Sequence, residues 1–183
     1  MLRRYRRGDL QAFNQLYQRH EGPLYRYILR MVQAHQVAAD LFQDVWLQVV
    51  RPDRPQHDPE RFAPWLYTVA RHRVLDHLKL LKNQVWDMPE EISDQEHPTS
   101  VQAADPPPLS DVADLVHRRR MAEAMLAAVQ ALPVLQREAF VLQAETGLRI
   151  EDIAQMTHCP VETVRSRLRY ARNSLRRQLE PWR

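Results

Sequence analysis

The sequence is poor in glycine and cysteine. Only three glycines occur in 183 residues, namely Gly8, Gly22 and Gly147. Glycine-rich phosphate-binding loops and β-rich folds with many tight turns both need more glycine than this, so we expect neither. The single cysteine, Cys159, excludes an internal disulfide and fits a reducing cytosol.

Long apolar runs are also missing. No stretch approaches the roughly 20 apolar residues that a membrane-spanning helix requires. The opening residues, MLRRYRRGDLQAF, carry basic side chains with no apolar core behind them, unlike a signal peptide. We therefore expect a cytoplasmic protein that does not insert into the membrane.

What the chain does contain is typical of a helical protein. Apolar residues make up 44% of the sequence, which is enough for packed cores. Long segments rich in Leu, Ala, Gln, Arg and Glu recur at helical spacing, which predicts an all-α fold. At this length the chain forms one domain or two small ones.

Charge is distributed unevenly along the chain, although the net charge is only +3. Residues 165–183 contain seven arginines and one acid, Glu180. Residues 86–117 contain eight acids and no lysine or arginine. This segregation favours a polyanionic partner at the basic end.

The basic end has the pattern of a helix-turn-helix. A short helix with one apolar face is followed by a turn at residues 157–160 and by a second helix with two stripes. The apolar faces are Ile150, Ile153, Ala154 and Met156 in the first helix and Val161, Val164, Leu168, Ala171 and Leu175 in the second; the other stripe is Arg165, Arg169, Arg172 and Arg176. An amphipathic helix with a solvated basic face is the alternative, but the preceding helix and turn favour a DNA-reading pair.

Three further helices are predicted in the first half. The first spans residues 9–33, with Asp9 as N-cap and a break or kink at Gly22-Pro23. The second spans residues 37–50, with Val37, Leu41, Val45 and Val49 as its apolar stripe and Asp40, Gln43, Asp44 and Gln48 largely outside it. Prolines at 52, 55 and 59 then predict an irregular loop.

The third helix, residues 61–84, opens with the aromatic residues Phe62, Trp65 and Tyr67. Its predicted buried face is Leu66, Val69, Ala70, Val74, Leu78 and Leu81, and most of the remainder is basic. Aromatic rings among cations suit single-stranded or melting DNA, because rings stack on exposed bases while cations hold phosphates. Core packing of the aromatic residues is the alternative.

The segment 86–117 has a different composition. Its five prolines and eight acids leave little to bury, so it is predicted to be an extended linker. Helical spacing resumes near Arg118 with the stripe Met121, Met125, Ala128, Val129 and Leu132. Pro133 marks a boundary, and residues 134–144 form a further helix that ends with Gly147 as a left-handed C-cap.

Five segments taken in order resemble one protein family. They are DLQAFNQLYQRH, ADLFQDVWLQVV, FAPWLYTVARHRVLDHLK, ALPVLQREAFVL and IEDIAQMTHCPVETVRSRLRYARNSLRR. This arrangement is similar to the extracytoplasmic-function (ECF) sigma factors of the sigma-70 family, the small type of bacterial transcription initiation factor. The resemblance covers roughly residues 8–84 and 120–180.

The resemblance implies a separate function for each of three segments of the chain. Residues 1–85 would form the region 2 domain, which binds core RNA polymerase and recognises and melts the −10 element. Residues 86–117 would be the linker, which either mimics nucleic acid in the RNA path of the polymerase or acts as a tether. Residues 118–183 would form the region 4 domain, whose helix-turn-helix reads the −35 element of promoter DNA.

The resemblance also implies roles for particular residues. The −35 contacts would come from Thr163, Arg165, Ser166, Arg167, Arg169 and Arg172. The −10 contacts would come from Trp65, Tyr67, Arg71, His72, Arg73, Asp76 and His77. Binding to core polymerase would involve Asp40, Leu41, Gln43, Asp44 and Trp46.

Two positions depart from the family pattern. His158 stands at the turn position that is usually glycine, where histidine adopts the left-handed conformation less easily. His72 stands where the family often has asparagine, which leaves the preferred −10 base open.

Catalytic and metal sites are not indicated. The eight histidines show no metal-ligand spacing, and neither a Ser/His/Asp elbow nor a phosphate-binding loop is present. We therefore expect no enzymatic activity, no cofactor and no small-molecule substrate.

An anti-sigma factor is a further partner implied by the resemblance. The alternatives are a stand-alone helix-turn-helix regulator with a helical sensing or dimerisation domain, and a small helical enzyme with a DNA-binding tail.

Overall fold

A computed structural model describes Arg4 and residues 9–50, 62–85 and 110–182. Side chains are described up to residue 80 in the second long range and from residue 116 in the third. Over these residues the chain is helical and contains no strand, which confirms the predicted all-α fold. No helix in these ranges is both long and apolar enough to cross a membrane.

The helices follow one another with short connections inside each described range. They are α1 (Leu10–Val32), α2 (His35–Val50), α3 (Phe62–Val85), α4 (Ser110–Gln130), α5 (Val134–Thr146), α6 (Ile150–Thr157) and α7 (Val161–Gln178), followed by a 3-10 turn (Glu180–Trp182). Helices α1–α3 pack together as an N-terminal unit, and α5–α7 pack together with α4 against α7 as a C-terminal unit.

Helix α1 begins as predicted but is not broken where predicted. A carboxylate oxygen of Asp9 accepts a hydrogen bond from the Ala12 N–H at 3.0 Å, which makes Asp9 the N-cap. Of the predicted break or kink at Gly22-Pro23, the break is wrong, because α1 continues through Pro23. Proline forgoes one backbone hydrogen bond, but Leu24 and Tyr27 in the following turn are fully buried and hold the helix in the core.

An aromatic cluster joins α2 to α1. The Trp46 ring lies 4.7 Å from that of Tyr17 and meets Phe13 edge-on at 5.9 Å between centroids. Val45 and Val49 are buried as predicted, whereas Val37 and Leu41 are half-buried. Gln48, predicted to lie outside the apolar stripe, is also buried.

Helix α3 presents a buried face close to the predicted one. Leu66, Ala70 and Val74 are buried, and Val69 and Leu78 are half-buried; Leu81 lies beyond the described side chains. Phe62 and Tyr67 belong to the core and Trp65 is half-buried. For Phe62 and Tyr67 the alternative of core packing is therefore correct.

Helix α4 starts earlier than the apolar periodicity indicated, at Ser110 rather than near Arg118. The remainder of the predicted linker, residues 86–109, lies outside the described residues. The predicted stripe holds only at its C-terminal end, where Ala128, Val129 and Leu132 are buried. Met121 and Met125 are 45% and 36% exposed, because α4 packs against the rest of the unit through its last turns.

The helix-turn-helix agrees closely with the prediction. Gly147 caps α5 in the left-handed conformation at φ 65°, and its N–H donates to the Gln143 carbonyl. The buried residues of the pair are Ile153, Ala154, Met156, Val164, Leu168, Ala171 and Leu175, with Ile150 and Val161 half-buried. The short helix α6 and the longer α7 therefore share one apolar core.

The two units also pack against each other, which the sequence did not predict. Helix α5 lies on α1, and α6 contacts α3. Glu138 of α5 pairs with Arg71 of α3 at 2.9 Å. Glu145 of α5 accepts from Arg26 at 2.6 Å and from Arg30 at 3.1 Å. Buried apolar residues of both units consequently form one continuous core.

Candidate nucleic-acid interface

The turn of the helix-turn-helix is built on a left-handed histidine. His158 has φ 51° and ψ 43°, and its N–H donates to the carbonyl of Gln155. The Cys159 N–H donates to the Ala154 carbonyl at 3.1 Å, which satisfies the end of α6. The position that the family usually fills with glycine thus keeps a left-handed backbone here.

Helix α7 separates an apolar face from a cationic face. Pro160 stands at the N-cap, and Glu162 in the first turn complements the helix dipole. The predicted arginine stripe is exposed along its whole length, at Arg165, Arg169, Arg172 and Arg176. Apolar residues on the opposite side fix the helix on the protein, so its guanidinium groups face outward together.

The exposed arginines have few restraints from the protein. Among the described residues Arg165 forms an ion pair with Glu162 at 2.5 Å, and both side chains are more than half exposed. Arg172 donates from Nη2 to Gln143 Oε1 at 2.6 Å, which orients it across α5. The Arg169 guanidinium lies 5.2 Å from the ring centre of Tyr170. Sequence reasoning missed Tyr170, which is 54% exposed and lies next to the arginine stripe.

The other predicted −35 residues are less exposed. Thr163 and Ser166 are half-buried on the first turns of α7. Arg167 is half-buried and donates from Nη1 to Cys159 Sγ at 3.6 Å. Burial raises the pKa of Glu138, and the Arg167 cation is one of the charges that oppose this rise.

The predicted −10 residues of α3 fall into two groups. His72 and Asp76 are exposed, and Arg73 and His77 are half-buried. Tyr67 and Arg71, in contrast, face the C-terminal unit, and burial raises the pKa of the Tyr67 hydroxyl. The half-buried Trp65 ring stands 5.8 Å from that of Phe62, at the start of the helix.

The ion pair between the units is buried on both sides. The side chains of Arg71 and Glu138 are 12% and 3% exposed. Burial raises the pKa of the Glu138 carboxyl, and the cations of Arg71 and Arg167 offset this effect only in part. In this arrangement the charge of Arg71 is therefore neutralised by a carboxylate of the protein itself.

The predicted polymerase-binding residues of α2 differ in their exposure. Asp40, Gln43 and Asp44 are exposed, and Gln36 donates to Asp40 Oδ1 at 3.3 Å. Leu41 is half-buried, and Trp46 is buried in the aromatic cluster. Within the described residues no group of three or more His, Cys, Asp or Glu side chains is placed to hold a metal ion.

The fold and these surfaces define a helical DNA-binding protein with a helix-turn-helix at its C-terminal end. Family models match both halves, with Sigma-70 region 2 over residues 16–83 and Sigma-70 region 4 over residues 122–175. The chain belongs to the ECF sigma factors of the sigma-70 family, the factors that direct RNA polymerase to promoters.

Similar proteins cover nearly the whole chain. The ECF RNA polymerase sigma factor SigM of Mycobacterium tuberculosis is 31% identical over 94% of this chain and 79% of its own length. The RNA polymerase sigma-H factor of Pseudomonas aeruginosa is 29% identical over 99% of this chain and 93% of its own. The sigma factor RpoE of Bartonella quintana, solved in complex with the anti-sigma factor NepR, shares the fold with a TM-score of 0.67 at 22% identity, over 93% of this chain and 98% of its own.

Proposed function

We propose that this sigma factor binds core RNA polymerase in the cytoplasm and places it on promoters by reading both the −35 and the −10 elements. Residues 1–85 serve polymerase binding and −10 melting, residues 86–117 connect the units, and residues 118–183 read the −35 element. The chain contributes no catalytic step of its own. The observation that carries the proposal is the exposed arginine face of α7, anchored by a buried apolar stripe.

The −35 element is read in the major groove by the first turns of α7. Arg165 and Arg169 are exposed and face base edges, while Ser166 and Thr163 contact adjacent phosphates. Arg172, held by Gln143, supports the helix on the DNA backbone. Arg167 acts indirectly, since its guanidinium braces the turn at Cys159.

The −10 element is opened by α3. Trp65 at its start offers a half-buried ring for an unstacked base, and His72 and Asp76 offer exposed polar groups. Arg73 and His77 lie beside them and contact the strand backbone. Tyr67 and Arg71 complete this surface once the C-terminal unit moves away.

Core polymerase docks on α2. Asp40, Gln43 and Asp44 present carboxylates and an amide to solvent, which suits a basic helical partner. Leu41 adds an apolar contact. Trp46 supports this surface from beneath, because its ring packs against Tyr17 in the core.

An anti-sigma factor is a further partner. The Bartonella sigma factor, which shares the fold, was solved with such a protein bound. Apolar side chains of Met121, Met125, Leu126, Val134 and Leu135 remain exposed on the C-terminal unit. Exposed apolar side chains are common at protein-binding sites, so these residues are candidates for contacts with a regulatory partner.

Permanganate footprinting tests the proposal at the step that defines a sigma factor. Core polymerase and the chain together should make thymines at −10 reactive on a genomic promoter, whereas either component alone should not. Tight binding of the chain alone with no melting by the mixture would favour a stand-alone regulator. Aspartate-to-alanine changes at Asp40 and Asp44 should abolish melting while leaving circular dichroism unchanged.

A further inference from the structure

Helix α7 carries one acid among its arginines. Its 18 residues include six arginines and a single carboxylate, Glu162, which lies on the first turn. The side chain of Glu162 is 77% exposed, more than the 53% of its ion-pair partner Arg165. The first turn of a recognition helix is the part that reaches base edges. An exposed carboxylate therefore lies where the proposed function places the DNA.

This position is unfavourable for a carboxylate unless the DNA offers it a hydrogen-bond donor. The phosphates on both sides of the groove are negative and repel an acid brought between them. In the free chain Arg165 compensates, because its Nη1 donates to Glu162 Oε1 at 2.5 Å. When Arg165 turns to a guanine, this compensation is lost. The carboxylate then needs another donor, since a desolvated charge without one costs free energy.

The major groove supplies base donors of only two kinds. They are the N4 amino group of cytosine and the N6 amino group of adenine, whereas guanine O6 and N7 and thymine O4 are acceptors that repel a carboxylate. Adenine places its N7 acceptor beside the amino group, an arrangement that suits an amide side chain better than an acid. Cytosine is therefore the base that Glu162 favours.

The spacing of the ion pair indicates where this cytosine lies. Glu162 and Arg165 are three residues apart on α7, so their side chains are neighbours on one face. Three residues rise about 4.5 Å along a helix axis, which is close to the roughly 3.4 Å between successive base pairs. With Arg165 on a guanine, the carboxylate of Glu162 reaches the adjoining base pair.

We propose that Glu162 is a specificity-determining residue, whose carboxylate passes from Arg165 to the exocyclic amine of a cytosine next to the guanine that Arg165 contacts. The ion pair of the free chain is thereby exchanged for two base contacts. This inference rests on the proposed function, because it takes α7 as the −35 reader. The alternative is that Glu162 only complements the helix dipole, which predicts no base preference.

Sequence selection by the holoenzyme tests the inference. Core polymerase with the full chain is bound to a promoter library in which the −35 element is randomised and the −10 element is fixed, and the bound DNA is sequenced. The parent chain should enrich a guanine and an adjoining cytosine. Glu162→Ala should lose roughly 5-fold or more of the cytosine preference and keep the guanine. Glu162→Gln should move the preference at that position to adenine, because glutamine bonds adenine N6 and N7 together.

Two further variants separate base recognition from helix stability. Glu151→Ala removes an exposed acid from the first turn of α6, where it has the same relation to a helix dipole, and should leave every base preference unchanged. Arg165→Ala should lose the guanine and keep the cytosine, because Glu162 still requires a donor. Base preferences in Glu162→Ala that match the parent, or that fall equally at all positions, would overturn the inference.

The same data distinguish this inference from the proposed function. If Arg165→Ala loses the guanine while Glu162→Ala selects the same bases as the parent, the assignment of Glu162 fails and −35 reading by α7 stands. If the parent holoenzyme transcribes but selects no −35 sequence, −35 reading by α7 fails and the assignment of Glu162 fails with it.

Discussion

Arg165→Ala should weaken promoters that depend on a −35 element. Arg165 is exposed on the second turn of α7, where it forms an ion pair with the exposed Glu162. A bidentate arginine to guanine contributes ~1–3 kcal/mol of discrimination. To reach the base, Arg165 must break its ion pair with Glu162, and an exposed ion pair of this kind contributes only ~0.2–1 kcal/mol. With the middle of each range, the net loss should be about 1.4 kcal/mol, or roughly 10-fold in promoter use.

The assay is run-off transcription by core polymerase on two templates, one with its −35 element intact and one with it scrambled. The variant should lose activity on the first and behave like the parent chain on the second. Arg119→Ala provides a matched control, because it removes an arginine from an exposed helical ion pair that is not part of the arginine stripe of α7. If Arg165→Ala instead abolishes binding to core, or acts equally on both templates, α7 is not the −35 reader.

Other perturbations test the fold and the contact between the units. Leu168→Ala empties a fully buried site shared by α6 and α7, so unfolding by denaturant should show a loss of ~2–5 kcal/mol. His158→Gly relieves a left-handed side chain and should raise stability by up to ~1 kcal/mol, whereas Gly147→Ala, at φ 65°, should lower it by about as much. Because burial raises the pKa of Glu138 above its ordinary 4.5 in the folded chain, the stability that this group contributes should be lost as pH rises through that raised pKa, and Glu138→Gln should remove this pH dependence of the unfolding free energy.

Local signals in the sequence were sufficient for the helix-turn-helix. The apolar stripe of α7 and the C-cap at Gly147 each follow from spacing or backbone chemistry within a few residues. The exposed arginine stripe follows from the same periodicity. Predictions of this kind hold because neighbouring residues on one helix decide them.

Longer-range packing overrode local signals elsewhere. Pro23 lies inside α1 because the burial of Leu24 and Tyr27 offsets one lost backbone hydrogen bond. The local sequence pattern does not reveal that burial. Similarly, Met121 and Met125 have helical spacing but remain 45% and 36% exposed. Periodicity identifies an apolar face but not whether another element covers it.

The contact between the units is another feature of the candidate site that local sequence patterns did not predict. Arg71 and Tyr67 were predicted to face DNA, and their spacing on α3 contains no sign that α5 would cover them. Glu138 and Glu145 lie in a segment that was predicted only as a helix. Ion pairs between residues more than 60 positions apart depend on how two units dock, which neither unit encodes alone.

Run-off transcription by core polymerase with and without the chain, on the genomic promoters it selects, tests the central claim most directly. The account predicts transcripts from discrete start sites that require both components, and binding of the chain to those promoters that is strong only with core present. Tight, specific promoter binding by the chain alone, with no change in transcription by core, would contradict it.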